Sequence, residues 1–176
     1  MPRIALSRRF WAKNKVSHGN GRHALSLQQE VELLRNIPLF SKIDPSKLKL
    51  LAFTSERLSY QDEQILFHQG DAGDAAYIIM NGGAAILIET QTGPIEVARL
   101  KTGDVVGEIA ILCDVPRTAT VQAKDSLTTL KVTKDTFFRL VTEFPQIAVE
   151  IMRELAARLE RTNVQLREAH SAKQAS

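Results

Sequence analysis

Between Val106 and Thr120 the chain reads Val-Gly-Glu-Ile-Ala-Ile-Leu-Cys-Asp-Val-Pro-Arg-Thr-Ala-Thr. Two side chains in this run are equipped to hold a small polar ligand. The guanidinium of Arg117 is planar and permanently charged, and it bonds a phosphate through two oxygens at once. Ionised Glu108 only accepts hydrogen bonds, so it suits a sugar hydroxyl and repels a phosphate. Gly107-Glu108-Ile109-Ala110 suits the first turn of a short helix, where unpaired backbone N–H groups and the helix dipole attract an anion. Together these groups describe a site for a phosphorylated sugar, and a nucleotide fits. Taken as two side chains alone, Glu108 and Arg117 also read as a structural ion pair.

The run as a whole carries a resemblance that favours the ligand site over the ion pair. Gly107, Glu108, Ile109, Ala110 and Ile111, then Pro116, Arg117, Thr118, Ala119, Thr120 and Val121, resemble the phosphate-binding cassette of the cyclic nucleotide-binding domain family. One departure is Val106, where many members carry Phe or Ile, a change of packing rather than of chemistry. The resemblance implies that Glu108 takes the ribose 2′-hydroxyl and Arg117 the cyclic phosphate. Backbone amides around Gly107, Ile109, Ala110, Thr118 and Ala119 would complete the cradle. Alignment with the catabolite activator branch adds Ile86, Val97 and Leu100 as a wall against the purine, and Thr162 with Asn163 as a contact to the base from a C-terminal helix. Thr118 suits cGMP through a guanine amino group and cAMP through the phosphate, whereas Thr162 leans toward adenine; cAMP is favoured. The competing expectation is a domain of the same fold that takes no ligand and serves as an interaction or dimerisation module.

The elements that position the cassette follow from the rest of the chain. Its 176 residues suit one domain with appendages, and 44% hydrophobic residues supply a core. Residues 1–25 carry Arg3, Arg8, Arg9, Lys13, Lys15 and Arg22 with Phe10 and Trp11 among them. Taking these six cations from the 23 basic residues leaves 17 against 20 acidic ones, so the net charge of +3 belongs to this segment. It reads as a basic, flexible tail, with weak contact to membrane or nucleic acid as its functional alternative. Residues 26–168 read as the domain proper. Ser26 and Gln29 spell a capping box for a first helix, and Asp44-Pro45 opens a second, so helices occupy 26–53. From 54 to 133, short runs punctuated by glycine turns predict a β-roll with the cassette at 106–120. Asn81-Gly82-Gly83 is read as a turn between strands Ala76–Met80 and Ala84–Glu89. Two helices follow over 135–168, and 169–176 reads as a flexible end. The fold class is α+β: an antiparallel, jelly-roll-like β-roll flanked by N-terminal and C-terminal helices.

In the last helix Ala148, Met152, Leu155, Leu159, Thr162 and Leu166 recur every four and three residues, a seam that suits a second copy of the chain and hence a homodimer. Cys113 is the only cysteine, which excludes an intrachain disulfide and suits a cytoplasmic protein. Scattered His18, His23, His68 and His170 offer no metal-ligand spacing, and no catalytic constellation is visible. The reading is therefore a receptor or regulatory module rather than an enzyme, with no metal, no cofactor, a cyclic nucleotide as ligand and an effector protein as its output. The helix-turn-helix domain of the catabolite activator branch has no room after the last helix, so sequence-specific DNA binding is not expected.

Overall fold

The computed structural model describes Ser17–His18 and residues 26–174. Two compact units divide the chain, Met1–Phe137 and Phe138–Ser176. The expectation of a flexible basic tail falls almost entirely outside the described residues. Within that segment only the strand β1, Ser17–His18, is described, and it pairs antiparallel with Leu58 and Ser59.

Helix α1 spans Leu27–Arg35, and its start is fixed as the sequence predicts. The Gln29 amide donates to the Ser26 hydroxyl at 3.3 Å, and the Ser26 amide donates to Gln29 Oε1 at 2.7 Å. Two of the orphan donors of the first turn are thereby satisfied. Ser26→Ala is expected to lower stability by about 1 kcal/mol, measurable by urea unfolding; an unchanged midpoint would show that α1 is held by packing alone. A 3-10 turn, Pro38–Phe40, leads to α2, Pro45–Thr54, capped by Asp44. Val31 and Leu34 of α1 and Leu48 and Leu51 of α2 are buried.

The roll consists of β2 (Glu56–Tyr60), β3 (Ile65–Phe67), β4 (Ala75–Ile88), β5 (Ile95–Lys101), β6 (Val105–Val106) and β7 (Thr120–Thr133). Strand order is β1-β2-β7-β4-β5, with β3 on β7 and β6 on β4, all antiparallel. Leu58, Tyr60, Phe67, Tyr77, Ile79, Leu100, Val106, Val121 and Leu127 fill its interior, with Leu66 and Ile86 packed against them.

One expectation about the strands is corrected. Asn81-Gly82-Gly83 does not reverse the chain. It lies inside one strand of 14 residues, and β7 likewise runs unbroken from Thr120 to Thr133. Pairing slips between Ile79 and Asn81 and again between Asn81 and Gly83, opposite Asp125 of β7 at φ 57°. The glycines and Asp therefore build a shared bulge that bends both strands, which is how a long sheet curls into a roll.

Helix α3 is Glu108–Cys113 and α4 is Lys134–Glu143, across the boundary between the units. In the second unit α5 runs from Pro145 to Gln174, past residue 168 where a flexible end is expected. Glu168, Ala169, Ala172 and Lys173 are good helix formers, so nothing in the sequence stops the helix there. On this helix Met152, Leu159 and Leu166 are exposed. Among the described residues no helix is long and apolar enough to cross a membrane.

Candidate functional site

Gly107 stands at the N-cap of α3 with φ 85° and ψ 0°. This left-handed conformation is open to glycine at no steric cost. It has a second purpose. A Cβ on Gly107 would lie 2.5 Å from Arg117 Nη1, inside contact distance. Glycine thus lets the guanidinium reach the turn, where Nη1 donates to the Gly107 carbonyl at 3.0 Å.

Arg117 is 3% exposed and Glu108 is 3% exposed, in a chain whose other charged side chains lie mostly at the surface. The Arg117 guanidinium stacks 4.2 Å from the centre of the Phe67 ring and 5.8 Å from that of Tyr77. Its Nε is buried without a hydrogen-bond partner. A buried guanidinium with an unsatisfied donor is costly, so the arrangement favours an acceptor arriving there.

The loop between β3 and β4 holds Arg117 from the other side. The Arg117 amide donates to the Asp71 carbonyl at 2.8 Å, and the Gly70 amide donates to the Arg117 carbonyl at 2.8 Å. Gly73 is pressed onto the cassette helix; a Cβ there would sit 2.3 Å from that of Ala110. Asp74 presents its carboxylate to two cations, Arg117 Nη2 at 3.5 Å and Lys131 Nζ at 3.6 Å. Burial pushes the Tyr77 phenol above its ordinary range; Arg117 pulls it down, while Asp74 and Glu56 add to the rise. These charges therefore share one neighbourhood around the Tyr77 ring.

The cassette is also tied to the start of α4. Lys134 Nζ donates to Asp114 Oδ1 at 2.6 Å, and the Lys134 amide donates to the Asp74 carbonyl at 2.9 Å. Lys134 holds the Asp114 carboxyl below its usual range.

Of the residues singled out from sequence, the structure gathers Gly107, Glu108, Ala110 and Arg117 into this buried cluster, with Ile109 and Thr118 exposed beside it and Ala119 half-buried. Leu100 is buried in the roll and Ile86 packs against the same core. Val97 is exposed at an irregularity of β5, between the pairs Ile86↔Ala98 and Leu87↔Glu96. Thr162 and Asn163 lie in the second unit, where the exposed Thr162 hydroxyl donates to the Arg158 carbonyl at 3.0 Å. Sequence reasoning treats Asp74 as turn scaffold and passes over Lys131. No local pattern marks either, because their partners are distant in the chain.

The sequence profile of the cyclic nucleotide-binding domain matches residues 57–144, half of the chain, and takes in the roll, the cassette and α4. The chain belongs to the cyclic nucleotide-binding domain family. The cAMP-dependent protein kinase regulatory subunit of Blastocladiella emersonii is 36% identical over 109 residues, 61% of this chain and 27% of that relative. The chain spans about a quarter of the length of the curated relatives it matches. Among solved structures, the catabolite activator protein of Thermus thermophilus superposes with a TM-score of 0.65 at 26% identity, over 73% of this chain and 61% of that one. The regulatory domain of Toxoplasma gondii PKA, crystallised with cAMP, shares the fold at a TM-score of 0.66 and 22% identity, over 75% and 50% of the two chains. In this cyclic nucleotide-binding domain the cassette is the loop that joins β6 to β7.

Proposed function

We propose that this domain is a cyclic nucleotide receptor, not an enzyme, that takes cAMP in preference to cGMP. The observation that carries the reading is Arg117: a cation 3% exposed, its Nε unsatisfied, fixed at the mouth of α3 beside the equally buried Glu108. In this reading Arg117 and the amides around Gly107, Ile109, Ala110, Thr118 and Ala119 take the cyclic phosphate. Glu108 takes the ribose 2′-hydroxyl, and Ile86, Val97 and Leu100 face the base. The preference for cAMP rests on Thr162 and on relatives whose names record cAMP-dependent kinases. Output passes through α4, because Lys134 is bonded both to Asp114 at the end of the cassette helix and to the Asp74 carbonyl. Movement of the cassette then shifts the populations of the C-terminal helices, which act on an effector protein. The exposed Met152, Leu159 and Leu166 of α5, spaced by seven, support a homodimer through that helix.

Calorimetric titration of nucleotide-stripped protein with cAMP and then cGMP tests the reading. Saturable binding with cAMP the tighter ligand is expected; no heat and no shift in melting temperature with either overturns it. Burial of Arg117 also suits a second reading, a cassette kept as structure in a protein-interaction module, and that outcome would favour it. The role of Glu108 has its own check. Glu108→Gln is expected to weaken cAMP binding by roughly tenfold or more, since a charge-assisted bond is lost. It should also narrow the preference for cAMP over its 2′-deoxy analogue; an unchanged preference would remove Glu108 from the ribose.

A further inference from the structure

Lys131 is the cation of this neighbourhood that the cassette pattern leaves unexplained. On β7 it lies directly opposite Tyr77 of β4 and Glu56 of β2, so it shares a face of the sheet with the buried Tyr77 ring. A lysine at such a position needs a partner. Its Nζ lies 3.6 Å from Asp74 Oδ2, while Oδ1 of the same carboxylate faces Arg117 Nη2 at 3.5 Å. One carboxylate therefore spans two cations. The three side chains differ in freedom: Arg117 is 2% exposed, Lys131 26% and Asp74 70%. Asp74 is the member able to shift.

An anion that reaches Arg117 arrives beside Asp74, a like charge. With Lys131 present, two cations stand against Asp74 and the cross-strand Glu56. Without it, Arg117 is left as the cation beside Asp74 and the local charge becomes more negative, which disfavours an incoming phosphate. We propose that Lys131 is a positioning residue of the phosphate site: it gives the Asp74 carboxylate a second cation and offsets its charge, so that the guanidinium can turn from Asp74 to a phosphate monoanion. This rests on the cyclic nucleotide reading of the same site.

The test is calorimetric titration of the full chain with cAMP, comparing wild type with Arg117→Ala, Lys131→Met, Lys131→Arg, Asp74→Asn and the double variant Asp74→Asn/Lys131→Met. Lys131→Met is expected to weaken binding about three- to tenfold, less at high salt, where exposed charges are screened. Lys131→Arg, which keeps the charge, restores affinity. In the Asp74→Asn background the effect of Lys131→Met shrinks, because the carboxylate it controls is gone. Binding that is lost in Arg117→Ala yet unchanged in Lys131→Met overturns the role of Lys131 and leaves the receptor reading intact. An equal loss with and without Asp74 also overturns it. Wild-type protein that takes no cAMP overturns both. Should Lys131→Met fail to fold, Asp74→Asn alone decides: affinity equal to or above wild type agrees with the proposal, and weaker binding contradicts it.

Discussion

Arg117→Ala is expected to lower cAMP affinity by roughly 10- to 150-fold or more, the loss of hydrogen bonds to a charged group. The fold positions this residue from several directions. Its carbonyl and amide are bonded into the loop before β4, Nη1 is bonded to Gly107, and its plane lies on Phe67. Truncation removes the charge and leaves a gap against Phe67. The roll should still form, because its interior residues from Leu58 to Leu127 are untouched. Arg117→Lys tests geometry apart from charge: a point charge cannot reproduce the planar fork, so affinity should remain well below wild type. Titration calorimetry with a parallel melting curve reads both variants. Wild-type affinity in Arg117→Ala would sink the cassette assignment.

The second large effect is expected from Gly107→Ala, a change of one methyl group. Alanine at φ 85° adopts a conformation that costs an L-residue about 1–2 kcal/mol. The new Cβ would also meet Arg117 Nη1 at 2.5 Å and the Ala75 carbonyl at 3.2 Å. The backbone carbonyl of β4 cannot yield easily, so Arg117 must. We expect a stability loss of about 1–3 kcal/mol in urea unfolding, and an affinity loss approaching that of Arg117→Ala. If Gly107→Ala melts early yet binds cAMP as wild type does, Arg117 does not need its observed position.

Much of this arrangement was legible in the residues. The capping box at Ser26 and Gln29, the Asp44-Pro45 start of α2 and the short helix after Gly107 are local signals whose partners sit within a few residues. The cassette is readable for the same reason, since Gly107 and Arg117 lie in the one segment, α3 and its loop, that joins β6 to β7. Strand extent is ambiguous where glycine has two meanings: Asn81-Gly82-Gly83 spells a turn, yet its consequence depends on β7, whose Asp125 supplies the matching bend. Asp74 reads as turn scaffold and Lys131 carries no local signal, because their pairing depends on where the fold brings the two chain segments together. The polar end after residue 168 reads as loose, yet α5 continues to Gln174, because polarity alone does not end a helix.

The shared bend of β4 and β7 also bears on how the domain assembles. Their pairing runs from Leu87↔Thr120 to Ala75↔Thr133, so the whole cassette is strung inside the loop that these strands close. Closing such a loop costs chain entropy before any distant pair contributes, which makes folding of this topology slow compared with a helical bundle. Arg117 is held jointly by the cassette, the β3–β4 loop and Phe67 of β3, elements that the finished roll brings together. A nucleotide that recognises Glu108 and Arg117 together therefore acts on the finished roll: it slows unfolding and leaves the rate of folding almost untouched.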